Sequence, residues 1–316
     1  MTAAPGIPPL KAAIPNPQSK IIYLAGPTGV GKTALAGALA EQLDAEIVGA
    51  DAFQIYAGLP LLTAQPTPKE HSRVPHHLVG CVPVTEAFDA QRYADQARPL
   101  IDEILTRGRM ALVVGGTGLY FRALIDGLAP TPPPDASLRA ELNALDLPDL
   151  IARLRAADPS APVQVDLQNK RRVTRAIEIV EGSARPLAEF RKTPPSSACG
   201  LLLTRERKEL HERIAANVRA MFEQGVVEEV RALADSLGPT ASRAIGVREI
   251  QALLRGEMSR AACEEAIVIA TRQYAKRQLT WFRHQTTFQP LDLTGPPHPS
   301  LAVESALRAL REFDVS

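Results

Sequence analysis

The sequence predicts an α/β protein, with a parallel β-sheet core flanked by helices and interrupted by an inserted all-helical subdomain. Three observations carry this. A glycine-rich octapeptide ending in Gly31-Lys32-Thr33 lies between a short apolar run and an Ala/Leu-rich stretch. Short apolar runs then alternate with helical patterns up to Val114, as βαβ units do in a parallel sheet. Two proline clusters, Pro130-Thr-Pro-Pro-Pro134 and Pro194-Pro195, bracket a stretch that is helical in character and has no strand-like alternation.

Residues 1–19 hold Pro5, Pro8, Pro9, Pro15 and Pro17 and no periodicity, so a disordered tail is expected. Residues 20–126 read as the first part of the core. Lys20 to Ala25 is β-rich and apolar, a buried strand ending at Gly26. Thr33 to Leu43 opens as a helix, Glu46 to Gly49 is a second strand ending near Asp51, and Ala90 to Arg107 is a helix. Met110 to Val114 is another buried strand, stopped by Gly115-Gly116. Residues 127–198 form the helical insertion, with the prolines as hinges. Residues 199–295 return to the core: Cys199 to Leu203 is a strand, Arg205 to Leu237 is helical, and Ala261 to Gln285, free of Gly and Pro, is one long helix. The chain beyond it is proline-rich, and residues 296–316 are a tail with a last amphipathic helix around Leu301 to Phe313.

Composition narrows the function classes. A chain of 316 residues buries one large core or two modest ones. Hydrophobic residues at 45% and charged residues at 22% exclude wholesale disorder. With 36 Lys+Arg against 35 Asp+Glu there is no global basic field, so a polyanion must meet a local patch. Cys81, Cys199 and Cys263 are odd in number, far apart and in no CxxC pair, which excludes a disulfide framework or zinc ribbon. No apolar run approaches the ~20 residues of a spanning helix, and the proline-rich start lacks a signal peptide's apolar segment. A cytoplasmic protein with no membrane partner is expected.

Gly26, Pro27, Thr28, Gly29, Val30, Gly31, Lys32 and Thr33 complete the pattern G-x-x-x-x-G-K-[ST]. Lying between a strand and a helix, they form a P-loop NTPase-like phosphate cradle. Glycines let successive N–H groups converge on an anion, and the helix N-terminus adds partial positive charge. Lys32 supplies a full charge to the terminal phosphates, and the Thr33 hydroxyl is the expected Mg²⁺ ligand. The loop calls for a di- or triphosphate without saying which. The strand ending at Val114 runs into Gly-Gly-Thr, where a nucleotide hydrolase carries a metal-holding carboxylate. That argues against nucleotide hydrolysis and leaves a non-nucleotide diphosphate open. Asp51, after the second strand, stands at the sheet edge where α/β sites are built.

Further segments follow the phosphate loop in order: Asp51-Ala-Phe-Gln-Ile-Tyr56, Val74-Pro-His-His-Leu78, Val114-Gly-Gly-Thr-Gly-Leu-Tyr120, Arg172-Val-Thr-Arg-Ala-Ile-Glu178, Ala244-Ile-Gly-Val-Arg248 and Thr271-Arg-Gln-Tyr-Ala-Lys-Arg-Gln-Leu-Thr-Trp-Phe-Arg283. Together they resemble the bacterial tRNA dimethylallyltransferase family. The resemblance implies transfer of a dimethylallyl group from its diphosphate to N6 of adenosine 37, beside the anticodon, with Mg²⁺ as cofactor. The substrates would be dimethylallyl diphosphate and the anticodon stem-loop of tRNA, and a monomer is expected. It makes Asp51 the general base, Gln54 the reader of the adenine edge within the segment Asp51, Ala52, Phe53 and Gln54, and Thr117 a neighbour of the reacting centre. Lys32, Thr33 and Arg207 would neutralise the diphosphate, with Arg205 close enough in sequence to take the place of Arg207.

For tRNA the resemblance implies Arg139, the run Arg171, Arg172, Val173, Thr174 and Arg175, and the run Arg243, Ala244, Ile245, Gly246, Val247 and Arg248. On the long helix Arg272, Lys276 and Arg283 fall within about 40° of one another at 100° per residue, one basic stripe. Ile267, Tyr274 and Trp281 fall roughly opposite and read as core. Two departures from the family are plain. Ala52 stands where it usually has Ser, and its Gly-Met-Asp-Ile-Gly-Thr-Ala-Lys-Pro stretch reads Gly58-Leu-Pro-Leu-Leu-Thr-Ala-Gln-Pro66 here. His71, His76, His77 and Cys81 fit no zinc spacing. The alternative reading is an ATP-dependent small-molecule kinase on the same scaffold, which needs a metal-holding acid and an arginine-rich lid.

Overall fold

The computed structural model describes residues 20–133, 135–190, 198–233, 235–295 and 299–312. The expected tail over residues 1–19 lies outside them, as do Pro134, Pro194, Pro195 and Phe313. The chain divides into two compact units, one of Met1–Asp126 with Pro195–Ser316 and one of Gly127–Pro194.

The first unit is built on β1 (Ile21–Ala25), α1 (Lys32–Leu43), β2 (Ala45–Ala50), α2 (Pro68–Arg73), β3 (His76–His77), α3 (Ala90–Thr106), β4 (Met110–Gly115) and α4 (Gly118–Ile125). The second holds α5 (Ala136–Ala144), α6 (Leu147–Ala157) and α7 (Lys170–Ser183). The first resumes with β5 (Gly200–Thr204), α8 (Arg207–Glu223), α9 (Val226–Ala232), α10 (Val247–Leu254), α11 (Arg260–Gln285), β6 (Gln289–Asp292) and α12 (Pro299–Glu312).

Among the described residues the strands form one parallel sheet of six in the order β3-β2-β4-β1-β5-β6. A parallel strand in the middle of such a sheet is covered on both faces, so it reads as a continuous apolar run rather than an alternating one. Ile22, Leu24, Leu112, Leu201 and Leu203 are accordingly buried, and they pack with Leu35 and Leu39 of α1. Each such side chain contributes about 1.5–3 kcal/mol by leaving water. The register matters for function. Ala25 and Ala50 both lie opposite Gly115, so β1, β2 and β4 end level with one another. Their continuations, Gly26, Asp51 and Gly116, therefore leave the sheet at one edge.

Two local readings are corrected, and one short edge strand is new. Arg205 to Leu237 is not one helix, because the chain breaks at Gln224-Gly225 between α8 and α9. The proline-rich stretch after residue 285 contains β6, which takes the free edge of β5 despite Pro290 because an edge strand does not need every N–H. His76 and His77 form β3 on the other edge, where the His77 ring nitrogen Nε2 lies 2.6 Å from the carboxylate of buried Glu46 on β2. Two residues are too short a run to show a period.

The helical unit starts its helices on side-chain caps. Asp135 accepts from the Ser137 and Leu138 N–H groups, Asp146 from Asp149 and Asn169 from Arg172. Its core gathers Leu142, Leu150, Leu154, Val173 and Ile177. Glu178 is buried beside them and neutralised by Arg139, at 2.6 and 2.7 Å, and by Arg175 at 3.0 Å. Among the described residues no helix is long and apolar enough to cross a membrane.

The level strand ends require glycine at the end of β4. A Cβ on Gly115 would fall 2.0 Å from the Ala50 carbonyl oxygen, a backbone atom that cannot swing away. Gly115→Ala is expected to destabilise the fold by about 3 kcal/mol or more, at the upper end of overpacking costs. Urea denaturation checks this; an unshifted midpoint would contradict the close approach of β2 and β4.

Candidate active site

The site grows from four strand ends. After β1, the phosphate loop turns into α1 through Gly31, whose φ of 109° is a left-handed conformation that favours glycine. The first N–H groups of α1 have no partners within the helix and are available to an anion. Lys32 lies back along the loop, donating from Nζ to the carbonyls of Gly26 at 2.9 Å and Pro27 at 3.0 Å. Burial lowers its ammonium pKa to about 8, and the nearby negative charge of Asp51 offsets part of that.

Two arginines close on the same loop. Arg213 of α8 donates from Nε to the Gly29 carbonyl at 2.9 Å, and Arg205, after β5, donates to the Val30 carbonyl at 3.3 Å. Their Nη2 atoms lie 3.7 and 3.9 Å from where a Cβ on Gly31 would stand. Arg205 is 5% exposed and paired with Glu209. Burial, together with the like charge of Arg205, pushes the Arg213 guanidinium below its ordinary value, so an anion in the loop would relieve both. Arg207 is corrected here: it is exposed on α8 and lines a shallow surface pocket with Lys208, His211 and Arg272. The helix turns Arg207 away and Arg213 inward, because Arg213 neighbours the buried Leu210 and Ile214.

Asp51 follows β2 with its carboxylate accepting from the N–H groups of Phe53 at 3.0 Å and Gln54 at 3.4 Å. The next residue, Ala52, donates its N–H to Thr117 Oγ1 at 2.9 Å, so the turn after β4 is tied to the turn after β2. At the end of β4 a side chain on Gly115 is excluded by the Ala50 backbone, and Gly116 is covered by Gln278. A Cβ on Gly116 would meet the Gln278 side-chain nitrogen at 2.2 Å.

Gln278 of α11 is itself buried, and it links the two turns. Its Oε1 accepts the Thr28 N–H at 2.9 Å, and its Nε2 donates to the Gly116 carbonyl at 2.9 Å. Tyr274, one turn earlier, is a partly buried phenol that burial, and next the negative charge of Asp51, push above its ordinary pKa. Trp281 packs on Gly118 and under the Arg122 guanidinium. Of the aromatic stripe read as core, Ile267 is buried, whereas Tyr274 is partly buried and Trp281 packs on the glycine turn. The sequence carried a signal for Gln278, an amide on the buried stripe of Ile267, Ala275 and Phe282.

The remaining expected residues divide by exposure. Gln54 spends both amide protons on the Thr63 and Ala64 carbonyls, at 3.1 and 2.8 Å, bracing its own loop, so bidentate pairing with adenine would require releasing that loop. Across the departing Gly58–Pro66 segment, Gln65 donates to the Gln54 and Tyr56 carbonyls, while the Glu229 carboxylate takes the Leu61 and Leu62 N–H groups.

Val173, Thr174, Ala244, Gly246 and Val247 are buried, so their side chains are corrected from nucleic-acid contacts to packing positions. Arg243, Arg248, Lys276 and Arg283 are exposed. Arg272 leaves the stripe. It turns toward α8, its guanidinium reaching the His211 carbonyl at 3.5 Å, because helix geometry puts residues on one face without saying which face meets a neighbour. In the helical unit Arg172 is exposed and paired with Asp166, while Arg139 and Arg175 are held by Glu178.

A parallel sheet whose one edge presents a phosphate loop, three cations, a carboxylate and a hydroxyl defines a P-loop α/β protein that takes a polyphosphate. The family model for IPP transferase matches residues 54–285, and the chain belongs to that family. A tRNA dimethylallyltransferase of Akkermansia muciniphila is 42% identical over 295 residues, covering 92% of this chain and 99% of the relative. One of Thermus thermophilus is 43% identical, covering 84% and 90%. Among solved structures, the tRNA isopentenylpyrophosphate transferase of Bacillus halodurans matches with a TM-score of 0.69 at 32% identity, covering 94% of this chain and 98% of that one. A eukaryotic dimethylallyltransferase described as acting on tRNA matches with a TM-score of 0.74 at 26% identity, covering 87% and 74%.

The lowered Lys32 pKa sets a pH dependence. An anion in the loop favours the ammonium, so binding takes up a proton wherever free Lys32 is neutral. Affinity for inorganic diphosphate is expected to fall as pH rises through about 8, with proton uptake above it. Calorimetry in buffers of different ionisation enthalpy checks this, and an affinity flat to pH 9.5 would remove Lys32 from the contact.

Proposed function

We propose that this protein is a tRNA dimethylallyltransferase: it transfers a dimethylallyl group from dimethylallyl diphosphate to N6 of adenosine 37 in tRNA, releasing diphosphate. One observation carries the reading. The phosphate loop shares its sheet edge with a single carboxylate at the end of β2, while β4 ends in Gly115-Gly116 without a second one, Gly115 lying hard against the Ala50 backbone. A kinase on this scaffold needs that second acid; a transferase that only has to hold a departing diphosphate does not.

The allylic C–O bond breaks toward the loop. The charge left on the diphosphate oxygens meets the N–H groups at the start of α1, Lys32, Arg205 and Arg213, all fixed before the reaction begins. N6 of the adenine forms the new C–N bond from the opposite side. Its lone pair is delocalised into the ring, so attack is helped as its proton passes to the Asp51 carboxylate. The Phe53 and Gln54 N–H groups hold that carboxylate in place. Adenine has to leave its stack to reach the edge, which costs less in a single-stranded loop than in duplex.

Mg²⁺ fits the donors present. Thr33 offers a hydroxyl on the first turn of α1, and the described residues hold no group of three or more His, Cys, Asp or Glu that could cage a metal. That suits a hard cation bound mostly by phosphate oxygens and water. When bound beside Thr33 it supplies charge neutralisation to the diphosphate. Arg243, Arg248, Lys276 and Arg283, exposed on the first unit, are the cations proposed for tRNA phosphates, with Arg171 and Arg172 on the helical unit.

The test incubates the protein with dimethylallyl diphosphate, Mg²⁺ and a tRNA carrying adenosines 36, 37 and 38, followed by mass spectrometry of the nucleosides. Prenylated adenosine is expected. Asp51→Asn should lower turnover by about 100-fold or more and leave tRNA affinity within about threefold. ATP hydrolysis without a prenylated base, or an Asp51→Asn variant of full activity, would refute the reading.

A further inference from the structure

The segment over residues 58–66, where the chain departs from its family, has an order of its own. Residues 59–65 close into one turn. The Thr63 N–H donates to the Leu59 carbonyl at 3.1 Å, Ala64 to Leu61 at 3.2 Å and Gln65 to Pro60 at 3.0 Å. Such a turn leaves open N–H groups at its start and open carbonyls at its end, as a helix does. Pro60 has no N–H, so the open donors are those of Leu61 and Leu62. Glu229 of α9 takes both, at 2.8 Å on one carboxylate oxygen and 2.9 Å on the other. The Leu61 and Leu62 side chains pack against the cluster of Val226 and Val230, which keeps α9 and the turn together. At the far end the Thr63 and Ala64 carbonyls take the two amide protons of Gln54, at 3.1 and 2.8 Å.

The Gln54 amide therefore cannot flip, because both groups facing its nitrogen are backbone acceptors. Its nitrogen has no proton left, and its oxygen, which takes no hydrogen bond from the described residues, is the amide atom left for a ligand. Gln54 stands three residues on from Asp51, with its own N–H on the Asp51 carboxylate at 3.4 Å. An acceptor fixed there takes a proton from an exocyclic amine and opposes a carbonyl oxygen.

We propose that Glu229 is a positioning residue for base recognition: by capping the turn it holds the Thr63 and Ala64 carbonyls on the Gln54 nitrogen, and so presents Gln54 to the target base as an acceptor alone. The inference rests on the function proposed above. Glu229 touches no reacting atom and acts only through the turn and Gln54.

The test compares, by fluorescence anisotropy, two anticodon stem-loops, one with unsubstituted purine at position 37 and one with hypoxanthine, whose C6 oxygen would face the Gln54 oxygen. Wild-type protein is expected to favour the purine loop by about tenfold or more, the cost of two opposed acceptors. Glu229→Ala frees the amide to turn its nitrogen toward that oxygen, and should lower the ratio about fivefold, the scale of one hydrogen bond. Gln54→Ala should lower it by the same factor, and the double variant no further.

A loss of order alone would weaken both stem-loops equally and leave the ratio where it was. Should Glu229→Ala fail to fold, as read by its melting temperature, Glu229→Gln, which keeps one acceptor, replaces it, with the ratio expected to fall at least about twofold. A wild-type ratio near one, an unchanged ratio in the Glu229 variant, or a further fall in the double variant would each overturn the proposal. A wild-type protein that makes no prenylated adenosine would instead overturn the function on which it rests. Active wild type with a ratio insensitive to Glu229 would overturn this inference alone.

Discussion

One buried amide holds the two halves of the site together. Gln278 reaches from the middle of α11 to bond a backbone N–H of the phosphate loop on one side and a backbone carbonyl of the glycine turn on the other. Both partners belong to loops that leave the sheet at one edge, after β1 and after β4. An apolar residue here would leave the buried Gly116 carbonyl unpaired, at a cost of about 1–3 kcal/mol, and would also release the partly buried Thr28 N–H. The sheet register does the rest. With β1, β2 and β4 ending level, a link between the loops after β1 and β4 also fixes their relation to Asp51, which is tied in through Ala52 and Thr117.

The electrostatics follow from that frame. Lys32, Arg205 and Arg213 crowd one loop, with Glu209 paired to Arg205; burial lowers the Lys32 ammonium, and burial with the like charge of Arg205 lowers the Arg213 guanidinium. Such a cradle is incomplete without an anion and best matched to one whose charge grows as a bond breaks. On the far side of the same edge stands one carboxylate, suited to receive a proton. An anion cradle and a carboxylate at one sheet edge suit the alkylation of a weakly nucleophilic amine by an allylic diphosphate. They suit phosphoryl transfer poorly, because β4 ends in Gly115-Gly116 without the usual acid, Gly115 lying hard against the Ala50 backbone.

Much of this was legible in the chain. The strands β1, β4 and β5 are continuous apolar runs and β2 is one apart from Glu46, and the phosphate loop, Asp51 and the turn holding Thr117 follow three of them. The two edge strands were not legible: His76–His77 is too short to show a period, and Gln289–Asp292 carries a proline. The choice among arginines was not legible either. Arg205, Arg207 and Arg213 sit within nine residues, and only the packing of Leu210 and Ile214 decides which of the helical two looks inward. The roles expected of Val173, Thr174 and Val247 failed for a related reason, since residues adjacent in a segment alternate between surface and core once the segment is a helix. Gln278 shows the reverse case, in which a polar residue on an apolar stripe is the mark of a function rather than a fault in the pattern.

The most direct measurement of the central claim is a crystal structure with an unreactive thio-analogue of dimethylallyl diphosphate and an anticodon stem-loop. The account predicts the diphosphate within hydrogen-bonding distance of the Gly29 to Thr33 backbone and of Lys32 and Arg213, with the target N6 about 2.6–3.2 Å from the Asp51 carboxylate and the Gln278 link intact. A diphosphate bound elsewhere, or Asp51 turned away from the target base toward bulk solvent, would contradict it.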